Sequence, residues 1–256
     1  MQSLEVIFAP AEYAVLRSRD LSRTVCVVFD ILRATSTMTT ALANGAAGIV
    51  PVSDLEPALD LRRRHSDWLL AGERGGLRIT AAQTGGIEFD FGNSPREFLP
   101  EQVQGRTIIA TTTNGTRALK ACEAARQVLI GAFLNMSCLA ACVEELDPEE
   151  LLLVCSGTVD QVSLEDVLGA GALCDRIWQR ASSARISDSS VMARDLYRAN
   201  ANDLLAAVSR TCNGRKLTKI PELKDDVSFC VQEDIFSFVA AMEPSGEVRI
   251  VENPKN

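Results

Sequence analysis

The sequence predicts an α/β sheet protein, organised as one domain over residues 1–256. Short β-branched runs alternate with stretches of helical period, and no linker-like segment divides the chain. Several predicted strands also run into hydroxyl-rich or acidic turns that precede helices. Open α/β sheets take their ligands at such turns.

Taken in order, residues 4–8, 24–29, 48–52, 68–71, 107–110, 127–130 and 151–155 are the runs that predict strands. The helix expected over 37–43 repeats Met38, Ala41 and Leu42 and stops at Asn44-Gly45, residue types suited to a C-cap. Residues 114–123 put Ala118, Leu119 and Cys122 on one face, with Asn114 as the natural N-cap. Helices over 136–146 and from 164 to about 180 follow. The second carries Val167, Leu168, Gly171, Cys174, Ile177 and Trp178 behind a capping-box spacing of Ser163 and Asp166. Residues 72–100 are Gly-rich, full of turn residues and poor in helical period, which predicts an irregular stretch folded over a site. Beyond 182, helical patterns return over 191–199, 201–208 and 221–229, and strand-like 235–239 and 248–251 flank the turn Pro244-Ser245-Gly246. The strand, Thr-rich turn, helix and strand over 24–52 are echoed at 107–130, with Ala41-Leu42 answering Ala118-Leu119. That echo suggests two similar halves around a shared cleft.

Apolar residues at 46% and charged residues at 23% are ordinary globular usage and exclude disordered, collagenous and low-complexity architectures. No apolar run approaches the roughly 18 residues that cross a bilayer, so a membrane is not an expected partner. The opening MQSLEVIFAP carries Glu5 and no basic leader, so a soluble cytoplasmic protein is expected. A net charge of −8 repels polyanions and excludes nucleic acid as a default partner. A small anionic substrate then needs a local basic pocket or a bridging cation, and association with further copies of the chain is allowed. Eight cysteines scattered through a chain of this length read as reduced, mostly buried thiols. The one histidine, His65, lies in the polar run RRRHSD and is expected to face solvent from a charged helix face. Histidine-nucleophile phosphatases, polyhistidine zinc sites and Ser-His-Asp triads are thereby disfavoured. Chemistry must run on carboxylates, hydroxyls, Arg, Cys or a hard metal ion.

Three turns are candidates. In the first, Asp30 ends a hydrophobic strand, and Arg33, Thr35, Ser36 and Thr37 lead into a helix whose N-terminal N–H groups suit an oxyanion. Capping by Thr35 or Ser36 would explain one hydroxyl but leaves Asp30 and Arg33 unexplained. The second is Thr111-Thr112-Thr113-Asn114-Gly115-Thr116, where Gly115 lets a backbone N–H approach an anion closely. In the third, Ser156-Gly157 precede Glu165 and Asp166, acids that either complement the helix dipole or hold Mg2+ together with substrate oxygens. Glu73 could add a further carboxylate. No G-x-x-x-x-G-K-[ST] loop, G-x-G-x-x-G or C-x-x-C occurs, so nucleotide and zinc-ribbon signatures are missing.

Read together, five segments resemble the signatures of the 2-phosphosulfolactate phosphatase family, in the family's order. They are Asp30 to Thr37, Gly72-Glu73-Arg74-Gly75-Gly76, Gly92-Asn93-Ser94-Pro95, Thr111 to Thr116 and Ser163-Leu164-Glu165-Asp166. Gly214-Arg215-Lys216-Leu217 and Asp226 to Cys230 are similar more loosely. The resemblance implies a three-layer α/β/α fold with a mostly parallel or mixed sheet. It also implies Mg2+-dependent hydrolysis of a small anionic phosphate ester to 3-sulfolactate and phosphate, a step toward coenzyme M; the alternatives are a phosphatase for another small phosphorylated hydroxy acid and a non-catalytic binding protein for small dianions built from the same loops. Arg33 and Asp30 are then the expected catalytic residues, Asp30 being either a metal ligand or the attacking carboxylate. Asp30, Glu73, Glu165 and Asp166 are the expected metal ligands. Thr35, Ser36, Thr37, Asn93, Ser94, Thr112, Thr113, Asn114, Gly115, Thr116, Ser156, Gly157 and Arg215 are expected to bind substrate. Phosphate is expected beside Asp30, with a non-reacting anion at the 111–116 turn near Asn93 and Arg215.

Overall fold

The computed structural model describes residues 1–251, so the last five positions of the predicted domain lie outside the described residues. Its strands are β1 (Ser3–Ile7), β2 (Thr24–Phe29), β3 (Gly48–Pro51), β4 (Leu69–Arg74), β5 (Leu77–Arg78), β6 (Thr107–Thr111), β7 (Gln127–Gly131), β8 (Glu150–Cys155), β9 (Arg185–Ile186), β10 (Val239–Met242) and β11 (Val248–Val251). The helices are α1 (Tyr13–Leu16), α2 (Ala34–Ala43), α3 (Leu55–Arg64), α4 (Ala81–Thr84), α5 (Pro100–Val103), α6 (Gly115–Ala121), α7 (Met136–Leu146), α8 (Leu164–Ile177), α9 (Asp188–Asn200), α10 (Leu204–Ser209), α11 (Cys212–Thr218) and α12 (Asp226–Cys230).

All strands join one mixed sheet in the order β5-β4-β6-β3-β11-β10-β7-β2-β8-β1-β9. β4, β6 and β3 are parallel to one another, and so are β7, β2, β8, β1 and β9. Between them the β10–β11 hairpin is antiparallel to both neighbours, β7 and β3. The two parallel halves therefore run in opposite directions. The chain crosses between them twice, through β2-α2-β3 and back through β6-α6-β7, the two units whose sequences echo each other.

Central β2 is buried along its whole length, as a strand must be when ladders flank both edges and helices cover both faces. Val25, Val27 and Phe29 face a core with α7 to α12, while Cys26 and Val28 face α1, α2 and α6. The same inner helices also meet Ile108 and Ala110 of β6, so α2 and α6 are shared by both halves. On the far face of the short half, Leu70 and Ile109 meet Ala58 and Leu59 of α3. This is the three-layer α/β/α arrangement. Helix α2 is buried although rich in threonine, because Thr39 and Thr40 donate their hydroxyls to the carbonyls of Thr35 and Ser36 one turn back.

Several expected boundaries are corrected. The strand expected at 235–239 is β10, which only begins at Val239. Phe236 N–H instead bonds the Leu134 carbonyl, and Asn135 Nδ2 bonds the Phe238 carbonyl, so this segment runs along the loop before α7. Its alanines are strand because β7 and β11 flank them on both sides, which outweighs their weak β-propensity. The helix expected over 221–229 is confined to α12, and the long helix expected to about 180 stops at Ile177. Residues 72–100 are not wholly irregular. β4 runs on to Arg74 and turns through Gly75 and Gly76 into β5, and both glycines have the positive φ (+67° and +93°) that a two-residue hairpin turn requires. His65 stacks on Trp68 with ring centroids 3.9 Å apart at the end of α3, rather than standing free on a helix face. Among the described residues, no helix is long and apolar enough to cross a membrane.

Candidate active site

The carboxyl ends of β2, β4, β6 and β8 bring the three candidate turns together around a cleft of about 220 Å³. Asp30, Arg33, Glu73, Asn93, Thr112, Thr113 and Asn114 line it, joined by Gly75, Gly76, Thr158, Asn213 and Lys216.

Asp30 is fixed by its own loop. Oδ1 accepts from Ala34 N–H at 3.1 Å, its carbonyl accepts from Thr35 N–H at 3.0 Å, and Thr35 Oγ1 bonds its backbone on both sides. Two N–H groups of the first turn of α2, those of Ala34 and Thr35, are thus engaged by Asp30. The Ser36 and Thr37 hydroxyls likewise brace the loop, against the carbonyls of Ile31 and Asn93. Asp30 Oδ2 lies against Gly115. A Cβ there would sit 2.8 Å from this oxygen and 2.6 Å from Ala34 Cβ, so only glycine leaves the carboxylate clear.

The other acids differ in how fully they are engaged. Asp166 Oδ1 accepts from Ile31 N–H (2.8 Å), and Oδ2 accepts from Ser156 Oγ and Gly157 N–H (3.0 Å each). It therefore ties the first turn to the third, and the capping box with Ser163 does not form; Ser163 Oγ pairs with Thr158 Oγ1 instead. Glu73 accepts from Thr113 N–H and Oγ1 through one oxygen and from Gly76 N–H through the other. Glu165 takes one bond, from Asn213 Nδ2 at 2.6 Å. Burial, together with negative charge on Glu73 and Glu165, pushes the Asp30 carboxyl up to about 6 despite donors from Ala34 and Ser156. Burial beside Asp30 and Glu165 pushes Asp166 well above the usual range. Burial also pushes Glu73 upward, but the donors from Thr113 and Gly76 outweigh it, so Glu73 titrates below its ordinary value.

Among the described residues, no group of three or more His, Cys, Asp or Glu is arranged to hold a metal ion by itself. Asp30 and Glu165 are the two acids with an oxygen not committed to backbone donors. Mg2+ needs only one or two carboxylates when phosphate oxygens and water complete its shell, and carboxylate oxygens such as these are the donor chemistry it takes. Both oxygens of Glu73 and both of Asp166 already accept hydrogen bonds.

Arg33, across a cis Leu32–Arg33 peptide, is almost wholly buried. Nη1 meets Asp226 Oδ2 at 2.6 Å and Nη2 donates to the Gly76 carbonyl at 2.7 Å. Asp226 on α12 also accepts from Ser94 Oγ at 2.7 Å. In the second turn, Thr112 and Thr116 bond each other and Asn114 Oδ1 accepts from Val159 N–H instead of capping α6. Arg215 is not among the cleft residues: its guanidinium bonds the Arg210 carbonyl and Cys212 Sγ on the exposed side of α11. Sequence reasoning missed Asn213 and Lys216. Three residues apart, they share the helix face that Arg215 does not, a phase visible from buried Gly214 and Leu217.

All eight cysteines are free and five are buried. Cys155, which ends β8 directly before Ser156, has its thiol pushed well above the ordinary range by burial and by Asp166, so almost no thiolate is available as a nucleophile. Cys155→Ser protein is accordingly expected to keep about a tenth or more of wild-type kcat. Loss of all turnover in folded variant, with a trapped phosphocysteine in wild type, would contradict this.

A sequence profile described as 2-phosphosulpholactate phosphatase matches residues 12–244. Among curated relatives, a probable 2-phosphosulfolactate phosphatase of Caldanaerobacter subterraneus subsp. tengcongensis is 38% identical over 241 residues, covering 93% of this chain and 95% of the relative. Proteins of the same description from Clostridium acetobutylicum and Thermotoga maritima are each 35% identical, covering 88% and 93% of this chain and 92% and 95% of their own.

Proposed function

The chain belongs to the 2-phosphosulfolactate phosphatase family, and from that premise we propose that its cleft hydrolyses 2-phospho-3-sulfolactate to 3-sulfolactate and orthophosphate with Mg2+ as cofactor, the type of step that leads toward coenzyme M. One observation carries this reading. Asp30, with an oxygen kept clear by Gly115, shares a small cleft with the Arg33 guanidinium, while Glu165 and Asp166 crowd that carboxylate with negative charge. Acids aimed at a phosphate are unfavourable unless a cation lies between them.

Hydrolysis joins a water oxygen to phosphorus and breaks the ester P–O bond, and the departing alkoxide takes up a proton. Arg33, held on two sides by Asp226 and the Gly76 carbonyl, cannot swing away and presents fixed positive charge to the equatorial oxygens as they gain charge. Asp30 and Glu165 would hold the Mg2+, which when bound screens phosphate charge and orients the reacting groups. Asp166 and Glu73 keep the turns at fixed separations, the first between residues 31 and 156–157, the second between 76 and 113.

Metal dependence tests the reading. Removing divalent ions with EDTA is expected to lower phosphate release by on the order of 100-fold or more, and added Mg2+ should restore it. Undiminished turnover in EDTA, with metal content verified, would remove the cation from the account. Faster turnover of a different phosphorylated hydroxy acid would reassign the substrate within the same chemistry.

A further inference from the structure

Resting on that reading, we propose that Lys216 is the specificity-determining cation that holds the substrate's non-transferred sulfonate. Two cations line the cleft, and they differ in what they are free to do. Both terminal nitrogens of Arg33 are engaged, one by Asp226 and one by the Gly76 carbonyl. Among the described residues, the Lys216 ammonium has no carboxylate partner, and it stands over the same glycine: a Cβ on Gly76 would lie 3.9 Å from Nζ. The two positive charges thus flank the Gly75–Gly76 turn. One is fixed by Asp226 and the Gly76 carbonyl, and the other, among the described residues, has no carboxylate partner.

Lys216 is also tied to the acids. Asn213, one helical turn earlier on the same face, donates to Glu165 Oε1 at 2.6 Å and to Thr158 Oγ1 at 2.8 Å. These bonds set the α11 face that carries Lys216 at a fixed distance from the carboxylate cluster. The family substrate carries phosphate, carboxylate and sulfonate on a three-carbon frame, so an anion a few ångströms from the reacting phosphorus needs its own counter-charge. A lysine, a point charge on a flexible stem, suits a sulfonate, which offers three equivalent oxygens. In the turn expected to hold this anion, which carries no cationic side chain lining the cleft, Thr116 bonds Thr112 and Asn114 accepts from Val159 N–H, and Arg215 faces elsewhere.

The sulfonate keeps its charge throughout hydrolysis, so an interaction with it strengthens ground state and transition state alike and acts on KM rather than kcat. The test compares wild type with Lys216→Met, which keeps the stem and removes the charge. The substrates are 2-phospho-3-sulfolactate and 2-phospholactate, the same ester without the sulfonate. KM for the sulfonated substrate is expected to rise roughly 10- to 150-fold. The loss in kcat/KM for 2-phospholactate should be at least about tenfold smaller, and Lys216→Arg should restore most of the affinity. Equal losses on both substrates, or a loss confined to kcat, would overturn the assignment. Binding of 3-sulfolactate itself, measured by calorimetry in Mg2+, separates this proposal from the function it rests on. If wild type turns over neither ester, the proposed function fails. Tight 3-sulfolactate binding that Lys216→Met abolishes would still uphold the anion site, and equal or absent binding in both proteins would overturn it.

Discussion

Asp30→Asn protein is expected to release phosphate on the order of 10³-fold more slowly than wild type, while melting no lower near neutral pH. Asparagine can still accept from Ala34 N–H through its carbonyl oxygen, so the loop geometry survives. What disappears is the negative charge beside Arg33 and Glu165. That charge is costly to the fold. Burial raises the Asp30 carboxyl from its ordinary 3.8 to about 6, equivalent to about 3 kcal/mol against the ionised form. A group whose folded value is raised contributes fully only below its unfolded value, and the contribution is lost as pH rises through the folded value. In EDTA, wild type should therefore gain stability from this group as pH falls from about 7 to 4, and the variant should lack that gain. Melting curves at about pH 7.5 and 5 check the sign. A variant that melts well below wild type at the higher pH would make Asp30 a structural residue.

Asp226→Ala carries the second large effect. Asp226 is fully buried and Arg33 is 3% exposed, so the variant leaves a guanidinium without its counter-charge inside the protein. Breaking such a pair from one side costs about 3–5 kcal/mol. Activity should fall with stability, because Arg33 loses the bond that aims it. Asp226→Asn keeps a carbonyl oxygen to accept from Arg33, while its NH2 group can donate to the Ser94 hydroxyl, and it is expected to lose less of both. The double variant Arg33→Met/Asp226→Leu separates the two roles: it removes both charges, so stability should largely return while turnover does not. Restored turnover in the double variant would show that Arg33 acts only in the fold.

Much of this architecture was legible in the sequence, for identifiable reasons. Strands such as Thr24–Phe29 are read easily because a strand covered on both faces must be apolar throughout. The turns after β2, β6 and β8 were legible because hydroxyls, acids and glycine cluster there for more than one purpose. Their internal wiring was not. Ser163 and Asp166 have the spacing of a cap, yet Asp166 instead takes three donors from Ile31, Ser156 and Gly157, outside its own helix. Asn114 sits at the N-cap position but bonds Val159. These are long-range choices that local spacing cannot weigh. The opposed direction of the two half-sheets was hidden for a similar reason, since it depends on a hairpin from the far end of the chain, partly made of alanines. On α11 the sequence offered Arg215 and Lys216 side by side, and helical phase decides between them: about 100° separates neighbours, so only one can share the Asn213 face.

The most direct measurement is product analysis of purified protein given 2-phospho-3-sulfolactate and Mg2+, run beside Asp30→Asn protein. Wild type is expected to yield orthophosphate and 3-sulfolactate in equal amounts, and the folded variant almost none. No turnover by folded wild type, or equal turnover by the variant, would contradict the assignment of phosphate-ester hydrolysis to this cleft.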